Sequence, residues 1–247
     1  MKSPVLSNST FEKLPLSLVK GMTFQGTVNK TLILLIILTI SVAWVWLLIY
    51  IAPHEELVAL LSMLIGTIGG FIVALIIIFK QEWAPILAPI YALLEGLAIG
   101  AISALFEAEF PGIVIQAVGL TFGILFILLF AYKLGYIEVT DKFMFGIVII
   151  TGAICLIYFV EIGLNLFANA SIPLIHESGP IGIGFSLFIV FIASMHLLVD
   201  FELIKRGVES EAPKYMEWYS AFAVIVTLVW LYLEILQLLA KMRGGSK

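Results

Sequence analysis

The sequence predicts an all-α polytopic membrane protein with seven transmembrane helices, and three observations carry that prediction. The 247 residues are 62% hydrophobic and only 12% charged, with a mean hydropathy of +1.16, whereas a soluble domain is about a quarter charged. Apolar runs of roughly 20 residues, each long enough to cross about 30 Å of hydrocarbon as a helix, recur along nearly the whole chain. The segments between them are short and hold most of the prolines and charges. Strands of a β-barrel would be shorter and would alternate apolar with polar residues, which these runs do not.

The first run, 31–52, follows a polar segment of residues 1–29 and is too long for the core of a cleavable signal, so it is expected to stay in the membrane. Runs two to four cover 57–79, 84–106 and 110–132, separated by "APHEE", "KQEWAP" and "EAEFPG". Runs five to seven cover 143–168, 181–204 and 218–240, after "KLGYIEVTDK", "NASIPLIHESGP" and "KRGVESEAPKYME". The organisation is one membrane domain, 30–243, between an N-terminal segment, 1–29, and a tail, 244–247. Cys155 is the only cysteine, so no intramolecular disulfide or cysteine metal cluster can form; it lies mid-span and reads as a small buried residue.

Lysine and arginine set the orientation. The N-terminal segment holds Lys2, Lys13, Lys20 and Lys30, and the connectors after runs two, four and six hold Lys80, then Lys133 and Lys142, then Lys205, Arg206 and Lys214. The connectors after runs one, three and five hold none. A cytoplasmic N-terminus follows, with Glu55, Glu56, Glu107, Glu109 and Glu177 outside. The basic tail with Lys241, Arg243 and Lys247 then falls on the outer side, against the rule, unless the seventh run is re-entrant; its length favours a full crossing. Of the sequons at Asn8, Asn29 and Asn169, only the last falls in an outer connector.

Within the runs the ionisable residues are Glu95 in "YALLEGLAIG", Glu161 in "YFVEIGLN", His196 and Asp200 in "MHLLVDFELI", and Glu234 in "WLYLEILQLL". Four are carboxylates and none is Lys or Arg. A charge at bilayer depth costs a few kcal/mol, so such groups face the bundle interior and mark ion or proton paths. Asp200 precedes Lys205 by five residues, about 7–8 Å from the helix end, and His196 shares its face one turn earlier. Glu161 precedes Asn165 by a turn and can be held structurally. In run seven, Ser220, Ala223, Thr227, Trp230, Glu234, Gln237 and Lys241 form one polar or small stripe, which places that helix against other helices or water inside the bundle. "GLAIG" (Gly96, Gly100), "GLTFG" (Gly119, Gly123) and Gly66, Gly69 and Gly70 read as surfaces for close helix packing.

"LLVDFELIKRG" and "LVWLYLEILQLLAK" resemble the paired signatures that close the Bax inhibitor family, also called the transmembrane Bax inhibitor motif family. "APILAPIYALLEGLAIGAISALFE" and "GPIGIGFSLF" are similar to it too, and "APKYMEWY" resembles a bacterial YccA-like branch. The resemblance implies a seventh helix central in the bundle, surrounded by the other six. It implies a pH-regulated calcium leak with Asp200 and Glu234 as sensor and gate. Two carboxyls within hydrogen-bonding distance cannot readily both ionise, so the pair is expected to share a proton and latch helix six to helix seven. Losing that proton would loosen helix seven and free carboxylate oxygens of Asp200 and Glu234 for calcium. His196, Glu95, Glu161, Gln237 and Lys80 are candidate supports of the path. Here Glu stands where the family's best-known pairs have Asp, and a lone Lys80 stands where compact bacterial members carry an Arg-rich end to helix two.

The expected partners are the lipid bilayer, calcium or other cations and a membrane protein; no nucleic acid and no cofactor is expected, calcium being the permeant or bound ion. The expected location is a bacterial plasma (inner) membrane. The alternative function is a regulatory protein modulating a membrane protease or a stress or cell-death response, with "SPVLSNSTFEKLPLSLVKGMTFQG" as its docking segment. No HExxH, GxSxG or Gly-Asp protease motif occurs, so catalysis is not expected.

Overall fold

The computed structural model describes residues 21–51, 55–168 and 179–244. His54, the Glu55 side chain, Asn169, His176, Glu177 and the first twenty residues, with Asn8, lie outside them, as do the sequence expectations that fall there. The described residues form seven long helices: α1 Phe24–Ile51, α2 Glu55–Phe79, α3 Ala84–Glu109, α4 Ile113–Lys133, α5 Asp141–Ala168, α6 Pro180–Glu209 and α7 Met216–Gly244. A single 3-10 turn, Gln81–Trp83, joins α2 to α3. All seven are long and apolar enough to span a bilayer, so the chain is a multi-pass integral membrane protein. Large side chains such as Ile36, Trp44, Phe71, Ile86, Phe126 and Phe159 stay exposed because their partner is lipid.

The expected central position of the seventh helix is met in outline. In its most apolar window 61% of α7 is buried, against 11% for α5. It packs on α1, α3, α4 and α6, four helices rather than six; α5 reaches it through a side-chain hydrogen bond from Tyr158 to Glu234. The polar stripe explains the burial, since a helix with that face cannot present it to hydrocarbon.

Small residues set the α1–α2–α3 packing. A Cβ at Gly96 would sit 2.5 Å from Ser41 Cβ and 2.7 Å from the Leu38 carbonyl, and one at Gly66 would sit 2.5 Å from the Ala98 nitrogen. Backbones this close are joined by polar side chains: Ser41 Oγ donates to the Leu93 carbonyl at 2.7 Å and Trp46 Nε1 to the Gly100 carbonyl at 3.0 Å. "GLTFG" behaves otherwise, because a Cβ at Gly119 or Gly123 meets nothing within 4 Å. The packing expected there is absent: those glycines lie on a face of α4 that no neighbour approaches. Cys155 is likewise exposed rather than buried, because α5 packs chiefly against α6 and leaves its other faces open.

The connectors sort onto two faces. On the N-terminal face the Met22 amide donates to the Ala212 carbonyl at 2.7 Å, joining the start of α1 to the α6–α7 connector. There too Arg206 binds Asp141 at 2.7 Å and Glu202 at 2.8 Å, and the Tyr132 hydroxyl donates to Glu202 at 2.7 Å, tying the ends of α4 and α6 to the start of α5. On the opposite face Glu107 accepts from the Gly112 and Val114 amides at 2.6 and 3.1 Å, capping α4. Arg243 donates to the Pro111 carbonyl at 2.9 Å and to Gln116 at 2.9 Å, and Lys241 to Ser186 Oγ at 2.7 Å. Helix α7 therefore crosses fully and is not re-entrant. Its basic end lies on the face opposite the other basic connectors, where these cations cap groups on the α3–α4 turn and the start of α6.

Candidate functional site

The α7 stripe opens onto two cavities. The larger, about 890 Å³, lies against α5, α6 and α7 and is lined by Tyr158, Glu161, His196, Thr227, Trp230, Glu234, Gln237 and Lys241 among others. The second, about 560 Å³, lies against α2, α3, α6 and α7 and is lined by Tyr91, Glu95, His196, Asp200, Tyr219, Ala223 and Thr227 among others. His196, Val226, Thr227 and Leu233 line both, so these four side chains form the partition between an Asp200 chamber and a Glu234 chamber. Every ionisable residue expected inside the membrane lines one chamber or both.

Asp200 is buried on α6, and its Oδ2 accepts the Thr227 hydroxyl at 2.7 Å. That same hydroxyl lies 3.2 Å from the Ala223 carbonyl one turn back. A hydroxyl has one proton and can accept as well as donate, so two arrangements fit these distances. An ionised Asp200 accepts the Thr227 proton; a protonated Asp200 donates to Thr227 Oγ1, which then turns its own proton to the Ala223 carbonyl. The charge state of the carboxyl is thus coupled to the rotation of one hydroxyl on α7.

Glu234 is 3% exposed, and Oε1 takes both available donors, the Tyr158 hydroxyl at 2.7 Å and Trp230 Nε1 at 3.0 Å. Oε2 is buried without a hydrogen-bond partner. Trp230 also meets the His196 ring edge-on, with centroids 6.4 Å apart, and His196 Nδ1 lies 3.3 Å from Thr151 Oγ1 of α5.

The expected proton-sharing Asp200–Glu234 pair is therefore not formed. Asp200 is bonded to Thr227, seven residues before Glu234, a displacement of about 10 Å along α7. The two acids bind opposite halves of one stripe and take separate partners. Among the described residues no group of three or more His, Cys, Asp or Glu is gathered to hold a metal ion.

Glu95 lines the Asp200 chamber from α3, with Gly70 of α2 close beside its carboxyl. Glu161 is buried and lines the Glu234 chamber, as does Gln237. Lys80 is the exception. It is exposed in the turn after α2, lines neither chamber and engages neither acid.

Two participants escaped sequence reasoning. Tyr158, in "LIYFVEIG", is an aromatic in an aromatic-rich run, and nothing in its spacing singles it out. Glu217 is wholly buried at the start of α7, where it accepts from Lys30, from Lys214 at 2.5 Å and from the Thr23 amide and hydroxyl at 2.8 and 2.9 Å. Its only sequence signal is an acid in the first turn of a helix three residues after a lysine.

Residues 3–244 match the family model described as Bax inhibitor 1 like. No curated protein and no solved structure matches the chain.

Proposed function

The chain belongs to the Bax inhibitor 1-like family, and from that premise we propose that it is a pH-sensitive cation leak, with calcium as the permeant ion, in which Asp200 and Glu234 gate passage between two chambers. The observation that supports this reading most is the partition. Two buried carboxyls stand on either side of His196 and Thr227, and one of them binds Thr227 itself. In the low-pH state Asp200 is protonated and donates to Thr227, whose proton closes onto the Ala223 carbonyl; the carboxyl is then neutral and internally bonded. When Asp200 loses its proton, Thr227 turns to the carboxylate and a negative charge faces the chamber. A hard cation stripped of part of its hydration finds oxygen ligands there, in the carboxylate and in water. Glu234 is the second station, with Oε2 left over after Tyr158 and Trp230 have engaged Oε1. Calcium is cargo in this reading, and the N-terminal face lies in the cytoplasm of a bacterial cell.

Purified protein in calcium-gradient vesicles, scanned across pH with Asp200→Asn and Glu234→Gln, tests the proposal. Flux that rises with pH in the parent and loses that dependence in Asp200→Asn supports it; unchanged flux and pH response in both variants refutes it.

A further inference from the structure

Glu217 is spent on none of the chemistry above, yet it is the most heavily bonded carboxylate among the described residues. Four donors from three segments converge on it: the Thr23 amide and hydroxyl, Lys30 of α1 and Lys214 of the α6–α7 connector. Its side chain is 0% exposed. Lys30 also lies 5.6 Å over the Trp218 ring, so it holds both polar and aromatic groups of the first α7 turn. Gly26 leaves the carboxylate its space, because a Cβ there would overlap Glu217 Oε1 and Oε2. The contact continues along the connector. The Met22 amide donates to the Ala212 carbonyl, Met22 is 4% exposed, and its sulfur fills the space beside Gly207, 2.7 Å from where a Cβ would lie.

Residues 21–30 are thus laid across 207–217, the stretch joining the two helices that carry Asp200 and Glu234. The other side of the same α7 turns, with Tyr219, Phe222 and Ala223, lines the Asp200 chamber. Burying an ion cluster is a poor way to gain stability, since well-packed apolar residues do as well, but it fixes one register and rejects others. We propose that Glu217 and the first two turns of α1 form a clamp that holds the α6–α7 connector and limits the access of water to the Asp200 chamber from the N-terminal face. Its consequence for flux rests on the leak reading; its consequence for chamber access does not.

The test uses the full chain in vesicles, with Cys155→Ser to remove the exposed native thiol and Ala223→Cys as a reporter in the chamber wall. A charged, water-soluble methanethiosulfonate reagent is applied to the N-terminal face. Gly26→Ala pushes a methyl onto the carboxylate without removing a charge, Glu217→Gln weakens all four bonds, and Lys30→Met removes one of them. Labelling on the order of tenfold faster than in the reporter parent is expected in Gly26→Ala and Glu217→Gln, with a smaller rise in Lys30→Met. Unchanged labelling in those variants that remain folded and monodisperse overturns the clamp; Lys30→Met, the mildest, decides the matter if the other two do not fold. Faster labelling with no change in calcium leak supports the clamp and counts against the leak reading.

Discussion

Replacing Thr227 with valine keeps the shape of the side chain and removes only the hydroxyl. Asp200 Oδ2 then loses its donor at 2.7 Å, while the Ala223 carbonyl loses a contact at 3.2 Å but keeps its helical amide. A hydrogen bond to a charged group contributes about 1.5–3 kcal/mol and a neutral one about 0.5–1.5 kcal/mol. The hydroxyl therefore favours the ionised form of Asp200 over the protonated form by roughly 1–1.5 kcal/mol, the difference between those ranges. At 1.36 kcal/mol per pH unit, Thr227→Val should move the pH of half-maximal calcium leak upward by about one unit. The sign follows from the donor: without it, ionisation needs a more alkaline medium, so the leak opens later as pH rises. Thr227→Ser keeps the hydroxyl and should stay near the parent midpoint. The assay is calcium efflux from vesicles at steps of pH, with unfolding temperature measured alongside. Identical midpoints for the valine and serine variants, or a downward shift in valine alone, would show that the hydroxyl does not read the charge of Asp200.

Tyr158→Phe leaves Glu234 with Trp230 as its one donor; it should slow or speed flux at all pH values without moving the Asp200-dependent midpoint, a separation that vesicle efflux reads directly. Gly96→Ala should destabilise the bundle, since its Cβ would meet Ser41 and the Leu38 carbonyl at 2.5 and 2.7 Å, and overpacking of this kind costs about 1–3 kcal/mol. Gly119→Ala and Gly123→Ala, with open space around them, should be neutral or stabilising by up to about 1 kcal/mol in thermal unfolding. Tyr232→Phe breaks the buried 2.6 Å bond to Ser103 between α3 and α7 and should cost about 1–3 kcal/mol, because the serine is left unpaired; Ser103→Ala in the same background should restore part of it.

The seven spans were legible because the bilayer fixes their length and forbids unpaired backbone, so each run announces itself without reference to its neighbours. The central helix was legible for a related reason: the period of Ala223, Thr227, Trp230, Glu234 and Gln237 states which face must avoid lipid. What failed were readings that depend on rotation and offset between two helices. "GLAIG" and "GLTFG" are equivalent as strings, yet only the first has a partner backbone against it. Asp200 and Glu234 look like partners in the sequence, but the offset of α6 on α7 brings Asp200 to Thr227 instead. Depth alone makes Cys155 look buried, whereas α5 turns that face outward. Glu217 carries little signal in the sequence because its partners Thr23 and Lys30 lie 194 and 187 residues away.

The placement of α7 has a consequence for how the molecule is made. It leaves the ribosome after the other six helices, yet it supplies the contact surface for α1, α3, α4 and α6. Until it inserts, the faces of those helices that will meet the stripe have no partner, and the start of α1 must wait for Glu217, which is translated almost two hundred residues later. Those four helices therefore enter the membrane before the helix that covers their stripe-facing surfaces. Final closure is a single event in which one helix carries its two C-terminal cations across the bilayer and docks them on carbonyl and hydroxyl groups already waiting on the other side.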